Sequence, residues 1–126
     1  MNLNFKGQKA FISGSTSGIG YAITKSLASL GCDIIINGWT QESVDNGLVN
    51  FCKDIPEAMC SGLICDFADT SQIDALVAAL DHVDILVNNV GIYNDQDFFE
   101  TSDESWTEQW EVNVMSGVRL SKALLP

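Results

Sequence analysis

Between Asp54 and Val118 the chain carries neither lysine nor arginine. Across all 126 residues six basic side chains face seventeen acidic ones, so the net charge is −11. Such a surface repels polyanions, which argues against nucleic acid and against an anionic membrane as partners. Most of the acids read as a solvated face that keeps the protein in solution. No apolar run reaches the roughly 18 residues a membrane-spanning helix needs, and the opening MNLNFKGQKA has no apolar core of the secretory kind. A cytoplasmic protein is expected. The one histidine, His82, stands alone, and Cys32, Cys52, Cys60 and Cys65 form no C-x-x-C pair. That spacing suits no metal centre and points to buried, reduced thiols. Only two prolines occur, and 46% of the chain is hydrophobic, which fits one packed domain over residues 1–126. No linker, repeat or low-complexity segment divides it.

What is there is an alternation of two patterns. Short apolar runs, KAFISG (9–14), CDIIING (32–38), SGLICD (61–66) and VDILVNN (83–89), are bounded by turn residues. They suit strands buried on both faces, as in a parallel sheet. Helical periodicity lies between them. Ile19, Ala22, Ile23, Leu27 and Leu30 make one stripe that stops at Gly31, and Ile73, Leu76, Val77 and Leu80 make another. Residues 41–53 form a less periodic helix. The order β-α-β-α-β-α-β predicts an α/β fold with a doubly wound parallel sheet. In the last helix, Thr101-Ser102-Asp103-Glu104 matches a capping box, and Trp106, Trp110, Val114, Gly117 and Leu124 share a side.

The first strand runs into Gly14-Ser15-Thr16-Ser17-Gly18-Ile19-Gly20 and then into a helix. A helix start offers unpaired N–H donors and a positive dipole end, and glycines let the backbone come close to a pyrophosphate. Ser15, Thr16 and Ser17 add hydroxyl donors. Overlapping this turn is Tyr21-x-x-x-Lys25, a spacing used for a catalytic acid in one class of oxidoreductases. With Ile23 at the centre of the buried stripe, both residues fall on the opposite, solvent side. The pair is expected to be a coincidence.

Ser13-Gly14-x-x-x-Gly18-Ile19-Gly20, Asp66 after the third strand, Asn88-Asn89-Val90-Gly91 after the fourth and Asn113 in the last helix resemble the short-chain dehydrogenase/reductase family. The resemblance covers essentially the whole chain but only the first half of a typical member. It implies a Rossmann-type sheet of order 3-2-1-4 and NAD(P)-dependent interconversion of alcohols and carbonyls. Gly14, Gly18, Ile19 and Gly20 would hold the pyrophosphate and its riboses. Asp66, followed by Phe67, would accept a hydrogen bond from the adenine amino group. Asn88–Gly91 would floor the adenine ribose, and Asn113 would bend its helix and position a water in a proton relay. As an amide near the Trp110–Gly117 stripe, Asn113 is expected to be buried and partnered.

Ser13 stands for the usual threonine and Val90 for the usual alanine. The family's catalytic serine and tyrosine–lysine pair have no counterpart in these 126 residues, since Tyr93 lacks a lysine four positions on. The chain is thus expected to be an N-terminal fragment without its general acid. The alternative is a non-catalytic dinucleotide-binding or interaction module. At the end of the second strand Asn37 and Gly38 occupy the place where an acid would select NAD through the ribose hydroxyl. With no basic residue there to hold a 2′-phosphate, the cofactor is NAD or NADP with a lean to NAD. An apolar edge strand at 83–89, and a last helix whose Val112 and Met115 project away from the Trp110–Val114 side, point to a homo-oligomer.

Overall fold

The computed structural model describes residues 2–126. Strands β1 (Lys9–Ile12), β2 (Asp33–Gly38), β3 (Cys60–Ile64) and β4 (Ile85–Val87) form one parallel sheet in the order β3-β2-β1-β4. This is the expected order. Helices α1 (Gly18–Ser29), α2 (Gln41–Asp54) and α3 (Thr70–Ala79) make the crossovers. A long irregular segment after β4 leads to α4 (Asp103–Trp110), a π-helical turn (Glu111–Met115) and α5 (Ser116–Leu124).

Period-two alternation divides the core into two layers. Ala10, Ile12, Ile34 and Ile36 face α1 and α2, where Ala28 and Phe51 close the layer. Phe11, Ile35 and Leu86 face α3 and α5, where Ile73, Leu76 and Leu120 do the same. Phe11 pairs in register with Ile35 and Leu86, so one aromatic ring is flanked by a branched side chain on each neighbouring strand. Strands covered on both sides need an apolar residue at every position, which is why the runs read as unbroken.

Three helical expectations are corrected. In α1 the fully buried line is Gly20, Thr24 and Ala28, with Ile23 and Leu27 of the expected stripe packed beside it, while Ile19 is 75% exposed and Ala22 lies outside. The turn demands close approach at Gly20, and that sets the helix phase. The Thr24 hydroxyl is satisfied by donating to the Gly20 carbonyl at 2.9 Å. At the last helix, the cap is Ser102, whose hydroxyl accepts from the Ser105 N–H, while the Thr101 hydroxyl donates back to the Asp97 carbonyl. Within that helix Val112, Ser116 and Leu120 face the core, and Trp106, Trp110 and Val114 face outward. The π turn, closed by the Ser116 N–H on the Glu111 carbonyl, adds one residue to the helical repeat and so shifts the phase. Val112 thus belongs to the core and not to an outer face.

α2 starts on a capping box that the sequence reading did not identify, between Thr40 and Ser43. Among the described residues no helix is long and apolar enough to cross a membrane. β4 lies at one edge of the sheet.

Tyr21 and Lys25 are half-buried, not solvent-facing as the helix phase had suggested. The Tyr21 hydroxyl donates to Asp54 at 2.5 Å, and the Lys25 ammonium lies 4.9 Å from the Tyr21 ring centre and 3.8 Å from the same carboxylate. The three side chains tie α1 to the end of α2. Burial, with the Asp54 hydrogen bond, pushes the Tyr21 phenol up to about 12. The native state thus holds this proton more tightly than the unfolded chain, whose tyrosines titrate near pH ~10. The contribution is complete below that pH and is lost as pH rises toward the native value. Ultraviolet difference titration should show a late phenolate step that Tyr21→Phe removes, and denaturant midpoints of the parent should fall over the same alkaline range.

Candidate functional site

The carboxyl ends of the four strands converge on the β1–α1 turn. Gly14 and Gly18 have φ of 61° and 60°, in the left-handed region that disfavours side chains. A Cβ at Gly18 would meet nothing within 4 Å, so it would project into open space. Ser17, at the N-cap, makes no side-chain capping bond, and the first N–H groups of α1 have no partner inside the helix. Gly20 differs. A Cβ there would run into the Gly14 carbonyl oxygen and come within 2.5 Å of the Asn89 amide nitrogen. The turn therefore presents an open, unpaired helix N-terminus, held close to the sheet by Gly20.

Polar side chains lock this edge together. The Ser13 hydroxyl accepts from the N–H groups of Asn89 and Val90, both at 3.0 Å. The Asn89 amide donates to the carbonyls of Ser13 and Gly14 at 3.0 and 2.9 Å. Asn37 is buried, and its Oδ1 accepts from the Gly14 N–H at 2.8 Å while its Nδ2 donates to the Leu63 carbonyl at 3.1 Å. The Ser15 hydroxyl donates to the Ile12 carbonyl and accepts from the Asn37 N–H. Ser15 and Asn37 thus direct their polar atoms into the scaffold. Thr16 and Ser17 remain at the surface of the turn.

Beyond β3, Asp66 is set by its surroundings. Its backbone N–H donates to the Gln72 side chain, and that side chain donates in turn to Asp69, the N-cap of α3. Asp66 Oδ1 accepts from the Ala68 N–H at 2.9 Å and from the Trp39 indole N–H at 3.2 Å. Sequence reasoning missed both Gln72 and Trp39. Beyond β4, Asn88 donates to the Ser121 hydroxyl of α5. Asn113 is exposed and not buried as expected. Its amide still has two partners, since Oδ1 accepts from the Ile92 N–H at 2.7 Å and Nδ2 donates to the Ile92 carbonyl at 2.9 Å. The π turn presents Asn113 to the segment that follows Gly91.

These elements enclose a cleft of about 270 Å³, lined among others by Gly14, Thr16, Ser17, Gly38, Trp39, Phe67, Val90 and Gly91. Among the described residues no lysine or arginine lines it. Cys65 also contributes to the wall, and burial, then the nearby Asp66 and Asp69, pushes its thiol up to about 12. It is a neutral, apolar wall residue at ordinary pH. Among the described residues no cluster of three or more histidines, cysteines and acids could hold a metal ion.

A family model described as short chain dehydrogenase matches residues 8–126. The chain belongs to the short-chain dehydrogenase family. An oxidoreductase of Bacillus subtilis, YvaG, is 41% identical over 125 residues, covering 99% of this chain and 47% of its own. The 3-oxoacyl-[acyl-carrier-protein] reductase FabG of Escherichia coli is 35% identical over 127 residues, covering 98% of this chain and 50% of its own. Among solved structures, L-sorbose reductase from Gluconobacter frateurii, complexed with NADPH and L-sorbose, superposes with a TM-score of 0.91 at 31% identity. It is matched over 100% of this chain and 49% of its own. The chain spans about half the length of the curated relatives it matches. The expected family and Rossmann-type sheet are both present.

Gly20→Ala should lower stability by about 1–3 kcal/mol, because the methyl group has to displace backbone at the β1–α1 junction. Gly18→Ala has free space and meets only the cost of its left-handed backbone, about 1–2 kcal/mol. Urea denaturation of both variants checks this. A Gly20→Ala midpoint equal to the parent's would contradict the close-approach account.

Proposed function

We propose that these residues bind the adenosine and pyrophosphate of a nicotinamide dinucleotide, as the cofactor-binding half of an oxidoreductase that interconverts an alcohol and a carbonyl. The open N-terminus of α1 carries this reading. Gly18 leaves clear the space a Cβ would fill, and Ser17 has an uncommitted hydroxyl beside unpaired N–H groups. Gly14, Thr16, Ser17, Gly18, Ile19 and Gly20 would hold the pyrophosphate, with Ser15 and Asn37 fixing the turn from behind. Asp66 and Phe67 would frame the adenine, and Asn88, Asn89, Val90 and Gly91 the adenine ribose. Asn113 would act through the loop at Ile92. The nicotinamide, when bound, would supply or accept the hydride.

The bound cofactor is proposed to be NAD rather than NADP. The L-sorbose reductase neighbour was solved with NADPH, but this cleft offers no cation to a 2′-phosphate, and two further negative charges would meet a chain of net charge −11. The family's serine and Tyr-x-x-x-Lys pair are proposed to lie in the part of such proteins that these residues do not span. The setting is proposed to be cytoplasmic, in keeping with four free thiols.

Calorimetry should show NAD binding at least tenfold tighter than NADP, and Gly18→Val should abolish it. The same 126 residues should show no turnover of NADH or NADPH with a panel of ketones, because a general acid contributes about 10²–10⁴-fold. Equal binding by Gly18→Val would overturn the cradle.

A homo-oligomer is proposed on the outer face of the last helix. Trp106, Trp110 and Val118 are each about half exposed there, and Phe98 packs edge-on to Trp106. An apolar patch of this kind marks an association surface. Light scattering over a concentration series should give more than one chain per particle, and Trp110→Glu should reduce it to the monomer. A monomer at high concentration in the parent contradicts the assignment.

A further inference from the structure

Trp39 is 57% exposed although it follows two buried residues, Asn37 and Gly38. An isolated exposed aromatic needs no explanation. This one lines the cleft, and its ring is held in place. The indole N–H donates to Asp66 Oδ1 at 3.2 Å. Asp66 is itself held by Ala68 and, through its backbone, by Gln72. Among the described residues no protein donor reaches Asp66 Oδ2. The other large aromatic of the cleft wall, Phe67, is 1% exposed and packs into the core.

A fixed aromatic face beside a carboxylate with one open oxygen matches one ligand chemistry, a flat aromatic ring that carries an amino donor. The two oxygens of a carboxylate are close enough for two stacked rings to donate one to each. We propose that Trp39 is the platform on which the adenine ring stacks, with the indole on Oδ1 and the adenine amino group on Oδ2. The inference rests on the dinucleotide reading and adds a residue to it. Among the described residues no lysine or arginine lines the cleft beside the indole. Adenosine affinity then comes from ring contact and not from ion pairing, and the ring itself offers nothing to a 2′-phosphate. Trp39 is a specificity-determining residue for the adenosine end.

The test uses a Trp106→Phe/Trp110→Phe background, in which Trp39 is the sole tryptophan of the three. Titration with NAD or AMP should quench its emission, and nicotinamide mononucleotide, which has no adenine, should not. By calorimetry Trp39→Leu should weaken NAD roughly tenfold, the scale of one base–aromatic stack. Trp39→Phe keeps a ring but loses the N–H, and should stay within about threefold of the parent. If Trp39→Phe is as weak as Trp39→Leu, the indole acts by orienting Asp66 and the platform is overturned. If Trp39→Leu binds NAD as the parent does and the emission does not move, while Gly18→Val still abolishes binding, the platform is overturned and the dinucleotide site stands. Absence of NAD binding in the parent overturns both.

Discussion

There is no room for a side chain at Gly20, where the start of α1 lies against the Gly14 carbonyl and the Asn89 amide. The end of β1 and the first turn of α1 meet the end of β4 at this point, where Gly14 and Asn89 are 75 positions apart in sequence. Ser13 and Asn89 hold the two strand ends together by exchanging side-chain and backbone hydrogen bonds. Asn37 adds β2 and β3 by bridging the Gly14 N–H and the Leu63 carbonyl. Among the described residues no buried side-chain polar atom is left without a partner. The result is a rigid edge across all four strands, with a helix N-terminus pressed onto it between β1 and β4. In an open parallel sheet that crevice, where the strand order reverses direction, is where ligands bind.

The same constraint explains which parts of the chain can be read directly. The strands were legible because burial on both faces favours runs of apolar residues, and their order was implied by the family resemblance. The phase of α1 was not legible. Hydrophobicity points to the side of Ile19 and Ala22, but contact at Gly20 turns the helix so that Gly20, Thr24 and Ala28 lie inside. A steric requirement at one end shifts the helix phase, while Ile23 and Leu27 still pack on the core. The phase of the last helix was hidden for a different reason. The extra residue of the π turn breaks the 3.6-residue period on which the stripe argument depends, so Val112 moves inward while Trp110 and Val114 move out.

The site shows the same division. Gly14, Gly18 and Gly20 could be placed from the pattern of the turn, and Asp66 and Asn89 from the family resemblance, because each belongs to a motif at a strand end. Their partners could not. Asn37 meets Gly14 across 23 positions, and Trp39 meets Asp66 across 27. Gln72 is an ordinary first-turn residue of α3 until the fold brings it to the Asp66 backbone. Asn113 combines the two cases. Its need for partners was legible, but its exposed position was not, because its two partners are the backbone atoms of a loop residue and not the helix interior.

The charge of the chain bears on how such a site can hold an anionic ligand. A net charge of −11 opposes the approach of a pyrophosphate over a distance set by the Debye length, about 8–10 Å at ordinary salt. The helix N-terminus acts over a shorter range, with the equivalent of roughly half a positive charge and N–H donors in direct contact. The long-range repulsion is screened by salt, and the contact hydrogen bonds are screened much less. A site built from lysine and arginine loses affinity as salt is added, whereas this one loses the opposing term first. Ring contact at Trp39 is likewise insensitive to ionic strength. With no lysine or arginine lining the cleft among the described residues, a ligand anion in a chain this acidic would depend on backbone donors and an aromatic face, and these are the two features that the rigid strand edge and the Asp66 hydrogen-bond network hold in place.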